Sequence, residues 1–139
     1  MKRRRVIEAF LVVATCLSAP IAQADEFDGS RSLLCATMSA MECFEGKGCD
    51  NRHPMDLDLP QFLRINFGTK QITTIRTGGE QRVAKIASVS DSNSALVIQG
   101  VQKGMGWTIS ISKSVGKMSA TVSDREYVAV VFGACMTEK

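Results

Sequence analysis

Cys35, Cys43, Cys49 and Cys135 are the side chains in this sequence best equipped for chemistry. Thiols bind soft metals, exchange electrons or cross-link. The spacing C-x7-C-x5-C, followed by a long gap to Cys135, lacks the close C-x2-C pair of structural zinc sites. It also lacks a redox-active C-x-x-C. Cross-linking is therefore the expectation, with no metal and no cofactor. Four cysteines allow three pairings, and spacing alone does not choose among them. The expected pairs are Cys43–Cys49, stapling the turn FEGKG, and Cys35–Cys135, closing a loop of about a hundred residues that is worth ~4 to 5 kcal/mol on the chain-entropy model.

Other candidates are sparse. His53 is the only histidine and lies in Asp50-Asn-Arg-His-Pro54. A base or metal ligand could sit there, but with no second histidine the expectation is an exposed loop residue. Asp56 and Asp58 have the spacing of a carboxylate pair for acid–base work. They precede Pro60 and read as solvated turn residues. Together with Asp50 they lack the spacing of an EF-hand. No G-x-S-x-G elbow is present. The glycines around Trp107 precede a strand, not a helix, and Gly78-Gly79 lacks the lysine of a phosphate loop. Trp107, next to Gly106 and near Gly104, is the most suggestive local feature. At a barrel mouth it could stack on a ligand; the plainer expectation is that it packs in the core. Tyr127, the only tyrosine, is a further candidate loop contact. No catalytic residue is assigned, and the chain is not expected to be an enzyme.

The N-terminus sets the context. Met1-Lys-Arg-Arg-Arg5 is a positive n-region, residues 6–21 are mostly apolar, and Ala22-Gln-Ala24 is a small-x-small cleavage site. This predicts a secretory signal peptide over 1–24 and a periplasmic or secreted chain over 25–139. The apolar run is short for a membrane span, which needs ~20 residues. Cys16 would leave with the leader. Taking four from the 17 basic residues and one from the 14 acidic ones leaves 13 of each. The mature chain then has no net charge. That argues against a nucleic-acid footprint, and its scattered basic residues make no membrane-gripping run. Export into an oxidising compartment also fits an even number of remaining cysteines. The 115 residues left after removing 24 from 139 are enough for one domain.

From Gln61 onward the chain reads as short strands separated by turn residues. Runs over 62–67, 71–76, 82–89, 95–101, 107–112, 117–123 and 127–135 are expected strands. Trp107, Ile109 and Ile111 alternate cleanly with Thr108, Ser110 and Ser112. The segment 32–44, SLLCATMSAMECF, suits either a short helix or a strand and is read as a strand. The fold class is thus all-β: a small antiparallel up-and-down β-barrel of about eight strands. An open β-sandwich with an N-terminal helix is the alternative. The last strand, YVAVVFGA, is apolar on both faces, which implies burial from both sides or an outer patch covered by something else.

The set Leu34-Cys-Ala36, Glu42-Cys43, Gly48-Cys49, Leu59-Pro60, Gly106-Trp107 and Val131-Phe-Gly-Ala-Cys135 resembles small exported proteobacterial β-rich proteins of unknown function. The resemblance implies a periplasmic β domain and brings no activity. The periplasmic inhibitors of c-type lysozyme are also small exported barrels with a cysteine near the C-terminus. Their S-G-x-x-Y loop is missing here, since Tyr127 follows Arg125-Glu126.

The expected function is that of a non-enzymatic exported barrel binding a small apolar ligand or a protein partner. An inhibitor or accessory subunit of an envelope protein is the alternative. A hydrolase-type enzyme built on His53 ranks last.

Overall fold

The computed structural model describes residues 27–76 and 78–139; the expected leader over 1–24 lies outside the described residues. Among the described residues ten strands follow one another: β1 (Leu33–Phe44), β2 (Gly48–Arg52), β3 (Phe62–Asn66), β4 (Gln71–Ile75), β5 (Gln81–Lys85), β6 (Ser88–Asp91), β7 (Ala95–Gln102), β8 (Met105–Ser112), β9 (Lys117–Ser123) and β10 (Tyr127–Thr137). The 3-10 turn Pro54–Leu57 links β2 to β3. Among the described residues no helix is long and apolar enough to cross a membrane.

The strands form one curled antiparallel sheet in the order β5-β4-β3-β1-β10-β9-β8-β7-β6, with β2 added beside β1. The first and last strands pair along their lengths, from Leu33 opposite Thr137 to Phe44 opposite Tyr127. A bulge between Thr37 and Ser39 interrupts that ladder and puts Met38 out toward solvent. The alternative of an N-terminal helix does not hold. Residues 33–44 bond to β10 on one side and to β3 and then β2 on the other, so their backbone groups are satisfied only as a strand.

The two end strands of the order are consecutive in the chain. Only Ile86 and Ala87 separate β5 from β6. Ile86 N–H donates to Lys70 O at 2.9 Å, and Ala87 N–H donates to Gln99 O at 2.9 Å. One stretch of chain is therefore bonded to the β3–β4 turn at one residue and to β7 at the next. The run expected over 82–89 is split at this change of partner.

Alternation aims one face of each strand inward. Leu33, Cys35, Ile65, Leu96, Ile98 and Ile111 are fully buried. Each such aliphatic side chain stabilises the fold by roughly 1.5–3 kcal/mol. Phe27 covers this end of the interior, lying against Gly116: a Cβ there would come within 2.5 Å of the Phe27 ring and 2.6 Å of Cys135 O. Gly116 also has φ +66°, in the left-handed region that glycine tolerates.

Both disulfides join directly opposed residues. Cys35–Cys135 links β1 to β10 across a sequence separation of 100, and Cys43–Cys49 links β1 to β2 across a separation of 6. Cys35 is wholly buried, whereas Cys49 lies on an exposed edge. Two disulfides are consistent with an extracellular or periplasmic chain.

Candidate functional site

Opposite the end covered by Phe27, the inward positions carry smaller or polar side chains. Thr37 of β1, Thr74 of β4, Ala84 of β5, and Ala120 and Val122 of β9 leave a cavity of about 190 Å³ inside the curl of the sheet. Leu63, Ile72, Ile109, Met118 and Val131 join it to the packed interior. Trp107 and Met105 of β8 and Gln102 of β7 complete the wall.

Trp107 sits on this wall because its cross-strand partner is Gly100. Any Cβ at Gly100 would collide with the indole ring, and would also lie 2.8 Å from Lys85 O. The absence of a side chain on β7 thus lets the ring lie flat across the neighbouring strand. The indole Nε1 is buried and has no hydrogen-bond partner among the described residues. A buried N–H in that state costs about 1–3 kcal/mol.

The mouth is polar. The segment after the 3-10 turn places Asp58, Leu59 and Pro60 on the cavity. Thr37 fixes that segment from below: its N–H donates to Gln61 O at 3.0 Å and its Oγ1 donates to Pro60 O at 2.8 Å. Arg76 and Arg82, from the β4–β5 hairpin, fix it from the side. Arg76 Nη2 donates to Asp58 O at 2.7 Å and pairs with the Asp58 carboxylate. Arg82 Nη1 lies 3.5 Å from Asp58 Oδ2, and its Nε lies 3.2 Å from Glu80 Oε1. Arg76 is only 16% exposed, so this part of the latch is shielded from solvent. Asp58 ends the 3-10 turn at φ 56°, a conformation aspartate accepts more readily than most residues.

The other sequence candidates lie elsewhere. His53 caps the 3-10 turn, its Nδ1 accepting from Met55 N–H at 3.3 Å. It is exposed and does not line the cavity, and neither does Asp56. Among the described residues no group of three or more His, Cys, Asp or Glu side chains is arranged to hold a metal. Tyr127 packs its ring 5.6 Å from that of Phe44 and lines an open surface depression near the turn 124–126. Burial, followed by the charges of Glu42 and Asp124, raises its phenol above the ordinary value. Met105 borders both this depression and the cavity.

Sequence reasoning singled out Trp107 but missed Arg76, Arg82 and the structural part of Asp58. The two arginines flank the Gly78-Gly79 turn, and only the pairing of β4 with β5 brings both to Asp58. Chemically the arrangement can enclose a small apolar body beneath a charged, hydrogen-bonded rim. In comparisons with family models, curated proteins and solved structures, the chain has no significant match.

Proposed function

We propose that this chain is a non-enzymatic periplasmic or secreted binding protein that holds one small apolar ligand inside a closed β-barrel. In this reading the segment carrying β5 and β6 joins the two edges of the sheet. The resemblance to small exported proteobacterial β-rich proteins belongs to the same reading. The observation that carries it is the cavity of about 190 Å³ bounded by Leu63, Ile109, Val122 and Trp107. An apolar cavity of ~150 Å³ accepts benzene, whereas drug-sized sites run from ~300 Å³ upward. The volume therefore favours a single ring or a short chain over a long lipid.

Trp107 is the sole tryptophan, so its fluorescence reports on the cavity. Titration of the disulfide-bonded protein with α-methylstyrene is expected to give a saturable, one-to-one change. A response no different from that of free N-acetyltryptophanamide contradicts the reading. Native mass spectrometry of periplasmic material adds a search for a retained ligand.

A second reading, docking to an envelope protein, is favoured by the outer face of β10 and its neighbour. Met38, Phe132 and Met136 are 69%, 47% and 61% exposed there.

A further inference from the structure

We propose that Cys43–Cys49 is a thiol–disulfide exchange site, opened at Cys49 by a dithiol while Cys35–Cys135 stays closed. This goes beyond the binding reading and does not depend on it. The argument starts from the bulge in β1. Cys35 and Cys43 are eight positions apart, so a regular strand would put both on one face. The extra residue between Thr37 and Ser39 reverses that relation. Strand β10 runs without a shift against β9 from Val128 to Ala134 and serves as the reference. Its buried residues Ala129 and Val131 mark the inner face, which Cys135 shares by alternation; Val128 lies on the other. Cys35 is opposite Cys135 and Cys43 is opposite Val128. The two disulfides therefore lie on opposite faces of the sheet. Cys35 is wholly buried, with Cys135 packed against the core. Cys43 is half-buried and Cys49 is exposed, on a strand exposed at every position and paired, among the described residues, with β1 alone.

Exchange needs a line of approach to a sulfur, and exposed disulfides are the labile ones. A thiolate of the dithiol attacks Cys49 Sγ. One S–S bond forms, the Cys43–Cys49 bond breaks, and Cys43 leaves as a thiolate that takes up a proton. The second thiol of the donor then displaces Cys49 from the mixed disulfide. The donor ends as a disulfide, oxidised by two electrons, and Cys43 and Cys49 end as thiols. Strand β2 is then held only by its ladder to β1 and by the exposed pair Arg52–Glu42. Having no buried residue, it opens locally without unfolding the sheet.

Timed exposure of the folded, disulfide-bonded protein to dithiothreitol, quenched with N-ethylmaleimide and read by peptide mapping, tests this. Cys43 and Cys49 are expected to be labelled at least about tenfold faster than Cys35 and Cys135. Brief exposure to reduced glutathione before the same quench is expected to leave glutathione on Cys49 and maleimide on Cys43. Hydrogen exchange of the partly reduced protein is expected to rise over 48–52 and to stay unchanged over 128–134. Equal rates for the two disulfides, earlier opening of Cys35–Cys135, or no reaction without denaturant would overturn the exchange site. Glutathione found on Cys43 would overturn the assignment of Cys49 as the attacked sulfur. Unaltered protection of 48–52 after reduction would overturn the release of β2. None of these outcomes bears on whether the cavity binds a ligand.

Discussion

The two ends of this interior are built from the same strands and filled differently. At one end Leu33, Cys35, Ile65, Leu96, Ile98 and Ile111 interlock beneath Phe27, and a disulfide joins the first strand to the last. At the other, Thr37, Thr74, Ala84, Ala120 and Val122 occupy inward positions and leave a cavity beside Trp107. A sheet of constant curvature needs bulky side chains throughout to fill it. Where those give way to alanine and threonine, space is left over. The comparison assigns stability to the packed end and, on the function proposed above, ligand binding to the cavity end.

The largest effect that separates them comes from the disulfides. Replacing Cys35 and Cys135 together by serine should cost ~5 kcal/mol on the chain-entropy model, against ~2 kcal/mol for Cys43 and Cys49, whose loop is short. Urea denaturation of the two double variants checks the order. Equal losses would mean that the packed end is not specially dependent on its cross-link.

Side-chain volume gives the next contrast. Ile111→Ala should cost ~2–5 kcal/mol because no neighbour can refill the site. Gly116→Ala should cost ~1–3 kcal/mol by forcing Phe27 away. At the cavity end, Ala120→Leu should remain within ~1 kcal/mol of the parent, since its added carbons enter existing space. It should also abolish probe binding. Thermal melts and the Trp107 fluorescence titration read both quantities; a severe loss of stability in A120L would contradict the space inferred around Ala120.

The rim should matter less to stability than to exchange. Asp58→Asn keeps a residue suited to positive φ but removes the charge facing Arg76 and Arg82. Because Asp58 is largely exposed, the stability loss should be ~0–1 kcal/mol. Stopped-flow mixing should show faster probe uptake and release if the segment 58–60 guards the mouth. Unchanged rates would place access elsewhere.

The smallest effect is at Tyr127. Its folded phenol titrates above the ordinary value through burial and neighbouring carboxylates. The unfolded chain then loses its proton first, so the contribution to stability is fully present below about pH 10 and is lost as pH rises through the folded value. Absorbance at 295 nm follows this single tyrosine; Tyr127→Phe should remove the alkaline component.

Much of the sheet was legible because burial imposes a period of two. Trp107, Ile109 and Ile111 announced β8, and the even cysteine count suggested how β1 and β10 lie together. The strand β2 left no such trace. Its sequence GCDNR is exposed at every position, and it is held by backbone bonds to β1 and by Cys43–Cys49. Hydrophobic patterning reads burial and is blind to a ladder with both faces in water. The boundary between β5 and β6 was equally silent, since it marks a change of hydrogen-bonding partner at Ile86 and Ala87 and not a change of composition. Asp58 read as a solvated turn residue because its two arginines arrive from 18 and 24 positions away. Cavity volume lies further still from the sequence, because it depends on how side chains from several strands meet.

Xenon-pressurised crystals test the contrast between the two ends most directly, since xenon enters apolar cavities. Ordered xenon is expected among Leu63, Ile109, Val122 and Trp107, with none among Ile65, Ile98 and Ile111. Xenon lodged beneath Phe27, or an interior that admits none at either end, would contradict the account.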